Sequence, residues 1–212
     1  MSNGDRTWLG TLSIRVSHNR PADINSIFHV HEVTGSSSGF GRAVTEAALK
    51  AGDNVIATLR RPTDLDDLIA STANPERLFV LKCDVSISSD IHNAFSQGLT
   101  KFGTIDIVFN NAGYGICAEA ESTPNDAARK MFDANFWGAA DVSREAVRVF
   151  REVNGSEKGG WLFNVSSGAG IVASPLIPYY SARCGLFFLW ENQYKTNTYT
   201  ILCFQQQIWY VR

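Results

Sequence analysis

Between an extended run, "SIFHVHEV", and a segment of helical spacing, "GRAVTEAALKAG", stands the octapeptide "TGSSSGFG", Thr34 to Gly41. A glycine-rich turn at a strand-to-helix junction restricts the fold more than any other feature of this chain. A tight turn at Gly35 and close backbone approach at Gly39 and Gly41 leave the first N–H groups of the helix, and the positive end of its dipole, facing a bound anion. A glycine cluster alone would equally suit an ordinary flexible loop. Its place between strand and helix is what points to a pyrophosphate.

The pattern continues downstream. "NVIATL", "LFVLKCDV", "IDIVFNNAG" and "GGWLFNVSS" read as further strands. "TDLDDLIAS" with Thr63 as its cap, "SSDIHNAFSQGLTKFG", and the long stretch from Asn125 to Val153 read as helices. In the first helix Val44, Ala47, Ala48 and Ala51 mark an apolar face, and Gly52 ends it. Continuous apolar strands separated by helices imply a parallel sheet covered on both faces, the doubly wound α/β class. The first strand is unusual: His29 and His31 share one face of what should be a buried central strand, and burial without partners would be costly.

With 212 residues, 44% of them hydrophobic, the chain can build one sizeable core. Residues 1–25 are polar and unpatterned and read as an extension, 26–183 as a nucleotide-binding domain, and 184–212 as a tail. That tail is rich in aromatics and Gln, Asn and Thr, with neither helical periodicity nor a βα unit, and is expected to stand outside the fold; a divergent pair of strands is the other reading. A formal charge of −2 with no basic run argues against nucleic acid or anionic membranes as partners. Cys83, Cys117, Cys184 and Cys203 show no CxxC spacing, and the four histidines form no ligand set, so neither a metal nor a disulfide framework is expected. No stretch approaches the ~20 apolar residues of a membrane span. The N-terminus has no apolar signal region, and the cytoplasm is the expected location.

In Thr34, Gly35, Gly39 and Gly41 the chain resembles the short-chain dehydrogenase/reductases, whose fingerprint is Thr-Gly-x-x-x-Gly-x-Gly. The resemblance runs through "CDV", "NNAG" (Asn110–Gly113), "DANFWG", "NVSSGAG" and "YYSA", from about Val33 to Ala182. It implies a Rossmann fold and a nicotinamide cofactor held by Thr34, Gly35, Ser37, Ser38, Gly39, Phe40, Gly41, Arg60, Asp84, Val85, Asn111, Ala112 and Gly113. An acidic residue after the second strand would bind the ribose 2′-hydroxyl of NAD, whereas an arginine accommodates the 2′-phosphate of NADP. The chain reads "ATLRRP", so NADP(H) is expected over NAD, with Arg60 as the partner of the phosphate and Arg61 and Ser38 nearby. For the two arginines, a solvated loop is the plain alternative.

The same resemblance implies catalysis by Ser167, which would orient a carbonyl or alcohol oxygen, Tyr180, the proton donor or acceptor, and Asn135, which would support proton relay. A strand-end cap and a half-buried aromatic are the structural alternatives for Ser167 and Tyr180. A phenol titrates near ~10, and in the family a lysine one helical turn beyond the tyrosine lowers that value. Here Cys184 takes its place. A shifted register, Tyr179 with Arg183, would rotate the phenol by about 100° away from Ser167. The family's sixth and seventh strands and substrate lid are expected to be missing or replaced, as in a chain truncated after the tyrosine. The expected function is carbonyl–alcohol interconversion on a small, apolar substrate, with self-association as in other family members; the alternative is a nucleotide-binding module or truncated product without catalysis.

Overall fold

The strands alternate their side chains between two apolar layers, and the helices follow from that division. The computed structural model describes residues 28–172, 175–182, 184 and 198–201. Its strands are β1 (Val30–Thr34), β2 (Asn54–Leu59), β3 (Leu78–Lys82), β4 (Ile107–Asn110), β5 (Trp161–Val165) and β6 (Thr198–Ile201). They form one all-parallel sheet in the order β3-β2-β1-β4-β5-β6. The chain leaves the centre in one direction and returns to build outward in the other, as expected for a doubly wound Rossmann sheet.

The principal helices are α1 (Gly39–Lys50), α2 (Asp66–Ser71), α3 (Ser88–Phe102), α4 (Asn125–Phe132) and α5 (Ala139–Glu152). On one face, Val30, Ile56, Val108 and Leu162 pack with Ile91, Ala94 and Phe95 of α3 and Val142, Ala146 and Val149 of α5. On the other, Val33, Val55, Ala57 and Phe109 pack with Ala48 of α1 and Leu68 of α2. This two-residue alternation is the pleat of a strand buried on both sides. No helix among the described residues is long and apolar enough to cross a membrane.

Several local expectations need correction. The buried face of α1 is Gly41, Thr45 and Ala48, flanked by Val44 and Leu49, whereas Ala47 and Ala51 are exposed. Thr45 is tolerated inside because its hydroxyl donates to Gly41 O at 2.9 Å. Thr63 does not cap a helix; it lies within a 3-10 turn, Pro62–Leu65, that leads into α2. The long helical stretch is broken by a π-helical segment, Asp133–Gly138. Within the tail, Thr198–Ile201 joins the sheet beside β5 in parallel register. β-Branched and aromatic residues suit a strand, and the unpaired edge of β5 supplies the ladder. The N-terminal extension, 1–25, and the rest of the tail beyond Cys184 lie outside the described residues.

His29, just before β1, keeps an exposed side chain, and His31 is paired through Nε2 while its Nδ1 is buried without a partner. Asp53, just before β2, accepts from the His29 N–H at 2.9 Å and stands 2.9 Å from His31 Nε2. Burial works against ionisation of Asp53, but its hydrogen bonds with His29 and His31 prevail and hold its carboxyl well below the usual range. Such a depressed acid stabilises the fold above its unfolded pKa, and the contribution is lost as pH falls through the folded value. Asp53→Ala should cost about 2 kcal/mol at neutral pH, read from urea unfolding, because it strips partners from two groups at the start of β1.

Candidate functional site

The glycine turn stands at the C-terminal end of the central strand, where the sheet order reverses between β1 and β4. Gly35 (φ +69°) and Gly39 (φ +57°) occupy the left-handed region that admits glycine at little cost. A side chain at Gly41 would lie 2.3 Å from Gly35 O, so α1 can pass this close to the turn only without one. Ser36 shapes the turn from within, its hydroxyl donating to Val33 O at 2.7 Å and its N–H to Thr58 O at 3.1 Å. No family motif marked Ser36 as special; its complete burial is the signal, and that is visible only in three dimensions.

Thr34 and Asn111 join this turn to the end of β4. Thr34 Oγ1 accepts from the N–H groups of Asn111 and Ala112, each at 2.9 Å. Asn111 Nδ2 returns a bond to Thr34 O at 3.0 Å. Asn110 is buried and donates to Ala139 O at 2.8 Å and Asn164 Oδ1 at 2.9 Å, fastening β4 to α5 and β5. Thr34, Gly35, Asn111 and Ala112 thus come together, and Asn111 acts here as a strut for the turn.

The α1 N-terminus fits an anionic group. Ser38 precedes it in an extended conformation, no side chain caps it, and its first turn carries no acid. Ser38 and Gly39 are exposed, while Ser37 and Phe40 are half-buried. Beyond β2, Arg61 is bound to Asp64 at 3.2 Å, whereas Arg60 is exposed and makes no ion pair among the described residues. Burial opposes ionisation of Asp84, yet hydrogen bonds from Ser86 and the charge of Arg60 outweigh it and hold the carboxyl below its ordinary value. Val85 is buried, and its carbonyl oxygen lies 2.4 Å from where a side chain at Gly138 would begin.

Asn135 sits in the π-helical segment, 2% exposed. Its amide grips one residue from both sides: Oδ1 accepts from Tyr114 N at 2.9 Å, and Nδ2 donates to Tyr114 O. The side chain therefore holds the Gly113–Gly115 loop, a role its motif did not reveal. Ser167 follows β5 and caps a short 3-10 turn, its Oγ accepting from Ala169 N at 3.2 Å. Residues 178–182 are helical and carry Tyr180 half-buried, with its ring 3.5 Å from a side-chain position at Gly115. Tyr179 points elsewhere, its hydroxyl donating to Ala120 O at 3.5 Å. Arg183, which the shifted register requires, lies outside the described residues. Cys184 is fully buried on the same stretch. Among the described residues no group of three or more His, Cys, Asp or Glu is placed to hold a metal.

A family model described as short chain dehydrogenase matches residues 29–184. An uncharacterised oxidoreductase of Schizosaccharomyces pombe is 38% identical over 159 residues, covering 75% of this chain and 51% of the relative. The crystal structure of a short-chain dehydrogenase from Streptomyces avermitilis is 35% identical with a TM-score of 0.71, over 80% of this chain and 60% of that one. A 3-ketoacyl-(acyl-carrier-protein) reductase from Brucella melitensis, complexed with NADH, is 27% identical with a TM-score of 0.69, over 76% and 66% of the two chains. The chain spans about half the length of the curated relatives it matches.

Proposed function

The chain belongs to the short-chain dehydrogenase family, and on that premise we propose that it is an NADP(H)-dependent oxidoreductase interconverting a carbonyl and a secondary alcohol. One observation carries the reading: the turn that would receive the cofactor and the tyrosine that would move the proton are served by a single loop. Asn111 at its start braces the turn, and Gly115, four residues on, packs beside the Tyr180 ring. The bound nicotinamide supplies or takes up the hydride. Thr34 to Gly41 hold the pyrophosphate on the helix N-terminus. Asp84 and Val85 flank the adenine side, and Asn111, Ala112 and Gly113 line the floor.

Tyr180 gives its phenolic proton to the carbonyl oxygen in reduction and recovers it in oxidation. Ser167 Oγ holds that oxygen, and Asn135 keeps the loop beneath it in place and supports proton relay. The exposed apolar side chains of Tyr114, Ile171, Val172 and Leu176 favour an apolar small-molecule substrate. The compartment that fits free thiols at Cys83 and Cys117 is the cytoplasm. Self-association, and a nucleotide-binding domain over 26–183 whose sheet takes Thr198–Ile201 of the tail as its edge strand, belong to the same reading.

Preference for NADP(H) rests on Arg60 and on the lack of an acid immediately after β2. Arg60→Ala should raise the Kd for NADPH by roughly ten- to hundredfold and leave that for NADH within about twofold, as read by fluorescence titration. Equal losses for both cofactors would place Arg60 away from the 2′-phosphate.

One observation favours a second reading, a nucleotide-binding module without turnover: a cysteine, Cys184, which cannot carry a positive charge, stands four residues beyond Tyr180 where the family has a lysine. The two readings separate on assay. Oxidation of NADPH in the presence of a carbonyl panel supports the enzyme. Quenching of tryptophan emission by NADPH without turnover supports the module.

A further inference from the structure

The central strand carries a carboxylic acid inside the apolar core. Glu32 is 1% exposed and stands in β1 between Ile56 of β2 and Val108 of β4. Both neighbours belong to the cluster that α3 and α5 cover. Glu32 Oε2 is buried without a hydrogen-bond partner. The Thr58 hydroxyl beside the carboxyl is the one group that favours its ionised form, and it donates to Val33 O at 3.1 Å.

The other groups facing this pocket offer no positive charge. The turn after β3 brings the Cys83 thiol, which burial and the proximity of Glu32 push up to about 12. Asp84 and Asp90 lie beyond Cys83, and the Asp90 carboxylate is occupied by the Asp84 N–H at 3.0 Å. From β4 come Val108 and the neutral Asn110; α3 presents Ile91, Ala94 and Phe95, and α5 presents Val142 and Ala146. His31 points to the opposite side of β1 and is engaged with Asp53, and on the outer side of α3 and α5 Glu145 pairs with His92 and Arg148, and Asp141 with Arg144.

We infer that Glu32 is kept as the neutral acid, and that the strand bearing the glycine turn is a proton-dependent element that loosens as pH rises. An ionised carboxylate here would have neither a counter-charge nor a full set of donors, so the fold selects the protonated form. Burial pushes the carboxyl up from 4.5 to about 8. The folded pKa lies above the unfolded one, so the stabilisation is complete below about 4.5 and is lost as pH rises through about 8. Inside that window the folded chain holds one proton more than the unfolded chain. The folding constant then falls about tenfold per pH unit, roughly 200-fold between about pH 5 and about pH 7.5.

The test is urea unfolding of the full chain across this range, for the wild type and for Glu32→Gln, which keeps the shape of the neutral acid. Every other titratable group is common to the two proteins, so the difference between the two profiles isolates Glu32. The expected result is a ratio of the wild-type to the Glu32→Gln folding constant that drops by about two decades across the range. Identical slopes would overturn the inference. Should Glu32→Gln not fold, Glu32→Leu supplies the same comparison, and infrared difference spectra of the wild type at about pH 6 supply another. A protonated carboxylic acid C=O band must appear in that spectrum, and its absence would equally overturn the inference.

Discussion

Gly41→Ala should abolish tight cofactor binding and destabilise the chain by about 3 kcal/mol, the cost of forcing atoms into a closed contact. The added methyl would begin 2.3 Å from Gly35 O and 2.7 Å from Asn111 Nδ2. Neither atom is the end of a free side chain. Gly35 O belongs to the turn, whose residue 35 already sits at φ +69°. Asn111 Nδ2 is held by Thr34 O at 3.0 Å and Gly35 O at 3.4 Å. Relief therefore requires α1 to withdraw from the sheet or Asn111 to release the turn, and either movement displaces the N–H groups proposed to meet the pyrophosphate. Urea unfolding reads the first effect, and a rise of more than about tenfold in the NADPH Kd reads the second. Ala47→Ser, on the exposed side of the same helix, should change stability by less than about 0.5 kcal/mol. Loss of stability with unchanged NADPH affinity would show that the turn is a packing device and not the cofactor cradle.

The order of most elements was legible because most strands are short apolar runs, and α1 and α3 end on Gly52 and Gly103, at φ +88° and +77°. The turn was legible because its three glycines fall within one run of eight residues, Thr34 to Gly41. What escaped the sequence is non-local. Asp53 rescues His29 and His31 from more than twenty positions away, and nothing near "FHVHEV" announces it. Asn135 was assignable by motif, but its grip on both backbone groups of Tyr114, 21 residues distant, was not. The π-helical segment around it breaks no rule of composition, since "DANFWG" would also continue an α-helix. Thr198–Ile201 illustrates the reverse case: four residues suited to a strand carried no weight in an aperiodic tail until the open edge of β5 was known. Glu32 was legible as an acid in a strand covered on both faces, but nothing near it in the chain shows that its Oε2 finds no partner.

Tyr180→Phe should lower carbonyl reduction at least about 100-fold while leaving NADPH affinity within about twofold. Phenylalanine keeps the ring that packs beside Gly115, so the loop from Asn111 to Gly115 is undisturbed, and only the proton-bearing oxygen is lost. Tyr179→Phe is the matched control. It removes a 3.5 Å bond to Ala120 O and should alter turnover by less than about threefold. A reversal of these two effects would establish the shifted register. Cys184→Lys completes the set. Cys184 is fully buried, so the substitution must accommodate both a longer side chain and a desolvated ammonium, and we expect lower stability and no gain in turnover. A gain that disappears again in the double variant with Tyr180→Phe would mean that the missing cation was all that limited the phenol. No turnover in the wild type, in Cys184→Lys or in Tyr180→Phe, with NADPH bound equally by all three, would assign the chain to cofactor binding and leave Tyr180 as a packed aromatic.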